Sequence, residues 1–96
     1  MKLDWTPSAK TDLAAQFEYI AAQNFAAAVT QEDRVLEAAD RLATYPHLGR
    51  VGRLPDSREL VVAGTPFIIV YRVMAASVVI LNVLHGAQPW PPETQP

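Results

Sequence analysis

Apolar residues recur at helical spacing along the first half of the chain and gather into short β-rich runs along the second. Leu3 to Trp5 reads as a short strand that Thr6-Pro7 stops. Thr6 is a good N-cap residue, and Pro7 suits the first helical turn, where its missing N–H is not needed. Ala9, Leu13, Phe17 and Ile20 then fall on one stripe, with Lys10, Glu18 and Gln23 elsewhere. That is the pattern of an amphipathic helix running to about Gln23. Asn24 can cap a second helix, with Ala28, Val35, Leu36, Ala38, Ala39 and Leu42 on one face and Asp33, Arg34, Glu37, Asp40 and Arg41 opposite. The tight turn at Gln23-Asn24-Phe25 makes the two helices an antiparallel hairpin. Its expected buried face is Leu13, Phe17, Ile20, Val35, Ala39 and Leu42. Tyr45-Pro46 ends the second helix.

From His47 to Ser57 glycine and proline set the spacing and no hydrophobic period is found, so this stretch reads as a loop. Glu59 to Val62, Phe67 to Met74 and Val78 to Leu84 are rich in Val, Ile and aromatics, and Gly64-Thr65-Pro66 and Ala75-Ala76 separate them. They read as sequential antiparallel strands. The resulting plan is α+β, in the order β-α-α-β-β-β: a helical hairpin packed on a small antiparallel sheet. Residues 1–88 form one domain, and residues 89–96 a proline-rich, irregular C-terminal tail.

Composition narrows the chemistry. The 96 residues are half hydrophobic and 19% charged, which suits one packed core. With no cysteine, disulfides, thiolate metal sites and cysteine nucleophiles are excluded. His47 and His85 lie far apart without a spaced carboxylate motif, so neither a metal nor a cofactor is expected. The N-terminus has no signal-peptide pattern, and the apolar run from Ser77 to Leu84 falls far below the ~20 residues that span a bilayer. The expectation is a cytoplasmic protein without a membrane segment.

Net charge is −2, which speaks against holding nucleic acid by bulk phosphate attraction, and no direct sequence-specific DNA binding is expected. Its distribution is uneven. Residues 1–47 carry an excess of acid, whereas Arg50, Arg53, Arg58 and Arg72 meet only Asp56 and Glu59 over residues 50–72. Two arginines on a glycine-hinged loop and a third at the start of a strand can converge on an anionic surface, because guanidinium forks bind carboxylate or phosphate bidentately. The plainer alternative is local surface pairing. Arg72 lies inside a strand and needs an acceptor, either an internal one such as Glu59 or a functional one. His85 ends the last strand, as a structural residue or as an acid–base group lacking a visible partner. Trp90, among prolines, either plugs an edge of the core or anchors a partner.

Trp5-Thr6-Pro7-Ser8-Ala9-Lys10-Thr11-Asp12-Leu13, Tyr19-Ile20-Ala21, Pro46 to Arg53, Ser57 to Val62, Thr65 to Val73 and Leu84 to Pro91, in this order and spacing, resemble the RelE/ParE toxins, most closely their ParE branch. The resemblance covers nearly the whole chain. It implies the same β-α-α-β-β-β fold, a toxin of a type II toxin–antitoxin system, and a cognate ParD-like antitoxin whose C-terminal arm wraps the hairpin and sheet. The family splits by target. ParE-like members poison DNA gyrase without known catalysis; RelE-like members cut messenger RNA on the ribosome with several basic groups around the scissile phosphate. Here no lysine follows Lys10, and His85 is the only basic residue after Arg72. The gyrase branch is therefore the leading expectation. The alternative is a ribosome-dependent endoribonuclease using Arg50, Arg53, Arg58 and His85, with Arg58 the best match to a RelE-type arginine. A third reading is a non-toxic remnant that still binds antitoxin, because Asn82 stands where ParE-like sequences commonly carry arginine. The expected surface for antitoxin and target comprises Arg50, Arg53, Arg58, Arg72, His85 and Trp90.

Overall fold

The residues that read as helix caps act as caps in the computed structural model, which describes residues 1–92. Strand β1 (Lys2–Trp5) leads into α1 (Pro7–Ala21), where the Thr6 hydroxyl accepts the Ala9 N–H and Pro7 opens the first turn. Asn24 caps α2 (Phe25–Thr44) by accepting the Ala27 N–H through its side chain. Four strands follow: β2 (Arg50–Val51), β3 (Arg58–Val61), β4 (Phe67–Val73) and β5 (Ser77–His85).

The sheet has five strands in the order β1-β5-β4-β3-β2. The α+β plan holds, with two corrections. β1 pairs parallel to β5, Trp5 opposite Ile80, so the sheet is mixed and not purely antiparallel. The crossover that a parallel pair requires runs through the helical hairpin and then β2, β3 and β4. Within the stretch read as a loop, Arg50 and Val51 pair antiparallel with Glu59 and Arg58, which adds a two-residue edge strand. Near the start of the expected tail the Trp90 carbonyl accepts from the Arg53 guanidinium at 3.3 Å. Residues 93–96 of the expected tail lie outside the described residues.

Between β4 and β5 the register shifts: Val70 pairs with Asn82 but Tyr71 with Ile80, so Leu81 is an extra residue. Helix α1 satisfies the backbone that this bulge and the end of β1 leave open. The Thr6 N–H donates to the Ile80 carbonyl and its hydroxyl to the Leu81 carbonyl. Asp12 accepts the Val83 N–H and the Asn82 side-chain amide on one oxygen, each at 3.0 Å. Asn82 is thereby a stitch between β5 and α1.

The core lies between helices and sheet. Ala9, Val35, Ala38, Ala39 and Leu42 pack with Phe67, Ile69, Tyr71, Val78, Ile80 and Val83. Of the expected buried face, Val35, Ala39 and Leu42 are fully enclosed, while Leu13 and Ile20 are partly buried against the core. Phe17 is half-buried and meets the exposed Phe25 edge-on at 5.8 Å. Leu36, placed on the apolar face by the helical wheel, is exposed. Side-chain alternation assigns the remaining strand residues. Arg58, Leu60, Phe67, Ile69 and Tyr71 share the helix-covered face; Glu59, Val61, Ile68, Val70, Arg72, Val79 and Leu84 share the other, which carries no helix.

Candidate functional site

The candidate site is built around residues 46–59, where two buried side chains, one from each face of the sheet, fix an otherwise irregular segment. Tyr71 reaches it from the helix side. Its hydroxyl accepts the Gly49 N–H and donates to the Pro46 carbonyl, each at 2.8 Å. The Arg58 guanidinium donates to the Gly49 carbonyl at 2.8 Å, so both backbone groups of Gly49 are occupied. A side chain at position 49 would place its Cβ 2.7 Å from the Tyr71 hydroxyl and 2.8 Å from the Glu59 carbonyl, which is why glycine stands there. Burial raises the Tyr71 pKa above its ordinary value, and the Gly49 N–H and the Arg58 charge partly counter it.

Glu59 reaches the segment from the open face. Its side chain is 1% exposed, yet its carboxylate is fully engaged. One oxygen accepts the Arg53 backbone N–H at 2.9 Å and Arg53 Nε at 3.1 Å; the other accepts Arg53 Nη2 at 3.0 Å and Arg50 Nη2 at 3.3 Å. The Arg53 guanidinium, foremost, holds the Glu59 carboxyl below its ordinary pKa, helped by the Arg53 N–H and by Arg50, against the opposing cost of burial. The same bond raises Arg53 above its ordinary value. Between the two arginines and Glu59 the chain makes a tight turn. Gly52 N–H donates to the Ser57 carbonyl, the Ser57 hydroxyl donates to Leu54, and Asp56 adopts φ 57°, a left-handed conformation that aspartate tolerates.

The expected arginine cluster is therefore divided between two faces. Arg50 and Arg53 lie with Glu59 on the open face, with 63% and 45% of their side chains exposed. Arg58 belongs to the helix side, committed to Gly49. Arg72 joins the open face, a diagonal neighbour of Glu59, but bonds to no carboxylate among the described residues. Its Nη2 donates to the Pro55 carbonyl at 3.2 Å, and its buried Nε has no partner among the described residues. Trp90 borders this group through the bond of its carbonyl with Arg53, and its buried indole N–H has no partner among the described residues. His85 is elsewhere, opposite Phe67 at the far end of the β4–β5 pair, with its Nδ1 accepting the Ala87 N–H. The residues that sequence reasoning missed are Tyr71 and Asp12, which position others. A signal for Tyr71 existed, since a tyrosine in an apolar strand must find a hydroxyl partner when buried.

No cluster of three or more His, Cys, Asp or Glu able to hold a metal occurs among the described residues. No described helix is long and apolar enough to cross a membrane. A groove of about 420 Å³ between α2 and Val62-Ala63 is lined by Arg34, Glu37, Asp40 and Arg41, whose opposite charges give it no preference for an anion.

A two-helix hairpin on a mixed sheet is also the architecture of a solved chain from a ParDE toxin–antitoxin system. The chain belongs to the ParE toxins of the type II toxin–antitoxin systems, parDE, whose family model matches residues 3–90. It is 41% identical over 90 residues to the Sinorhizobium fredii protein Y4kP, with 94% of this chain and 93% of that one covered. It is 39% identical over 84 residues to Toxin RelE2 of Caulobacter vibrioides, with 88% and 93% covered. Among solved structures, a chain of the chromosomal ParDE TA system from P. aeruginosa superposes with a TM-score of 0.78 at 26% identity, covering 86% of this chain and 92% of that one. The protein is thus the toxin of a ParDE/RelE-type toxin–antitoxin system, with an antitoxin as its partner.

Proposed function

We propose that this toxin acts by binding DNA gyrase, with no active site of its own, and that a ParD-like antitoxin silences it. The supporting observation is the dispersal of the groups that phosphate cleavage would need. Arg50 and Arg53 are committed to Glu59, Arg58 is turned to the other side of the sheet, and His85 stands at the far end of β4–β5. General acid–base work needs such groups within hydrogen-bond reach of one reacting atom. Expression in cells lacking the antitoxin tests the reading. Gyrase poisoning is expected to give filaments and DNA damage before protein synthesis falls; early arrest of translation with cleaved messenger RNA would overturn it.

The likeness to Toxin RelE2 favours a second reading, a ribosome-dependent endoribonuclease that gathers Arg50, Arg53, Arg58 and His85 only on the ribosome. The third, a remnant without toxicity, rests on Asn82. Its amide supplies Asp12 with a donor at 3.0 Å and so ties β5 to α1.

A further inference from the structure

Helix α2 carries five large apolar side chains, of which two, Val35 and Leu42, are buried in the core. The other three are exposed: Phe25 by 65%, Val29 by 39% and Leu36 by 38%. At positions i, i+4 and i+11 of one helix they share a stripe, about 16 Å long at the helical rise. Single exposed apolar residues are ordinary on a protein surface; three aligned on one helix make a face that a partner can cover. Its first residue is held in place, because Phe17 meets the Phe25 ring edge-on at 5.8 Å. An aromatic side chain already fixed loses little freedom on binding, which suits it to the centre of an interface.

Charge decides what such a face accepts. Glu32 lies within the stripe and Asp33 beside it, while Arg34 and Arg41 lie on the other flank of α2, over Val62-Ala63. Lys10 is the only cation of α1. Over residues 7–44 six carboxylates meet three cations, and none of these groups makes an ion pair among the described residues. The arginine side of the molecule is the reverse, since Arg50 and Arg53 are committed to Glu59 and Arg58 to Gly49.

We propose that the Phe25-Val29-Leu36 stripe is the surface with which the toxin grips gyrase, its occupant an apolar hollow of gyrase rimmed by lysine or arginine. The proposal deepens the gyrase reading and rests on it. A toxin without an active site acts through a surface, and this one is both apolar and exposed. An enzyme that holds DNA carries cationic surface to meet the phosphates, so gyrase can supply the rim that Glu32 and Asp33 answer. A second copy of this chain fits poorly, because it would bring the same unpaired acids against them. The target contact thereby moves from the arginine cluster to the helices.

The test uses the full toxin freed of antitoxin and the gyrase holoenzyme. It reads the toxin concentration that halves supercoiling and the Kd across a salt series, with each variant checked for an unchanged melting curve. Leu36→Lys sets a cation against the rim and should raise both values at least about 30-fold. Phe25→Ala should raise them about tenfold or more. Asp33→Lys, at an exposed position where the fold is insensitive, should raise them about tenfold and flatten the salt dependence. It keeps the proposal testable if Leu36→Lys melts early. Folded variants that inhibit gyrase as the wild type does would overturn the surface. If antitoxin affinity alone fell in them, the antitoxin would be the occupant; if a wild-type dimer became monomeric, a second copy would be. A wild-type toxin that leaves supercoiling untouched would sink the gyrase reading itself, and this surface with it.

Discussion

The two faces of the sheet are built from the same strands and differ in what completes them. On the helix side Ile69, Tyr71, Val78 and Ile80 are sealed by Val35, Ala39 and Leu42, and the one polar group among them, the Tyr71 hydroxyl, has both its bonds made. On the open side a buried carboxylate holds two arginines, Val61 reaches solvent, and two donors have no acceptor among the described residues. The helix side is sealed by its own chain, whereas the open side leaves Val61 57% exposed.

That contrast breaks most sharply at Leu42 and Val61. Leu42 is fully buried, so Leu42→Ala should cost about 2–5 kcal/mol in urea unfolding, through lost transfer energy and a residual cavity. Val61→Ala on the open face should shift stability by about 0.5 kcal/mol or less. Equal losses would mean that the open face is part of the folding core. Phe17→Ala belongs between them, below the about 3–5 kcal/mol of a fully enclosed phenylalanine, because Phe17 is only half-buried.

Glu59 gives the next largest effect. Its carboxyl is held below the ordinary value in the folded chain, so its contribution is fully present above the unfolded value near about 4.3 and is lost as pH falls through the lowered one. Glu59→Gln should cost about 1–3 kcal/mol at neutral pH and flatten the acid limb of a stability–pH profile. An unchanged acid limb would show that Arg53 and Arg50 are not bound to it in solution. Tyr71→Phe should cost about 1–2 kcal/mol by stranding the Gly49 N–H and the Pro46 carbonyl, and amide exchange at Gly49 should quicken. Since the Tyr71 pKa is raised, its share of stability persists below about 10 and fades only as pH climbs through the higher value. Wild-type exchange at Gly49 in that variant would contradict the brace.

What the sequence discloses follows the range of the forces involved. Thr6-Pro7 and Asn24 are legible because a cap bonds to an N–H three residues away. β3, β4 and β5 are legible from their β-branched runs. The parallel pairing of β1 with β5 is not, because the strands lie some 70 positions apart and nothing in Leu3 to Trp5 names its neighbour. β2 is hidden for a related reason: two residues have no period, and this strand exists because Tyr71, Arg58 and Glu59 hold its ends. The arginines could be found as a cluster in the chain, but their division between faces depends on strand register, which puts Arg58 with Tyr71 and Glu59 with Val70.

The central claim, a toxin that works by occupying a protein and not by cutting RNA, is tested most directly with purified toxin freed of antitoxin. Gyrase supercoiling and messenger RNA integrity on translating ribosomes are followed side by side. The account predicts that supercoiling stops while the RNA stays whole; cut messenger RNA with supercoiling unaffected would contradict it.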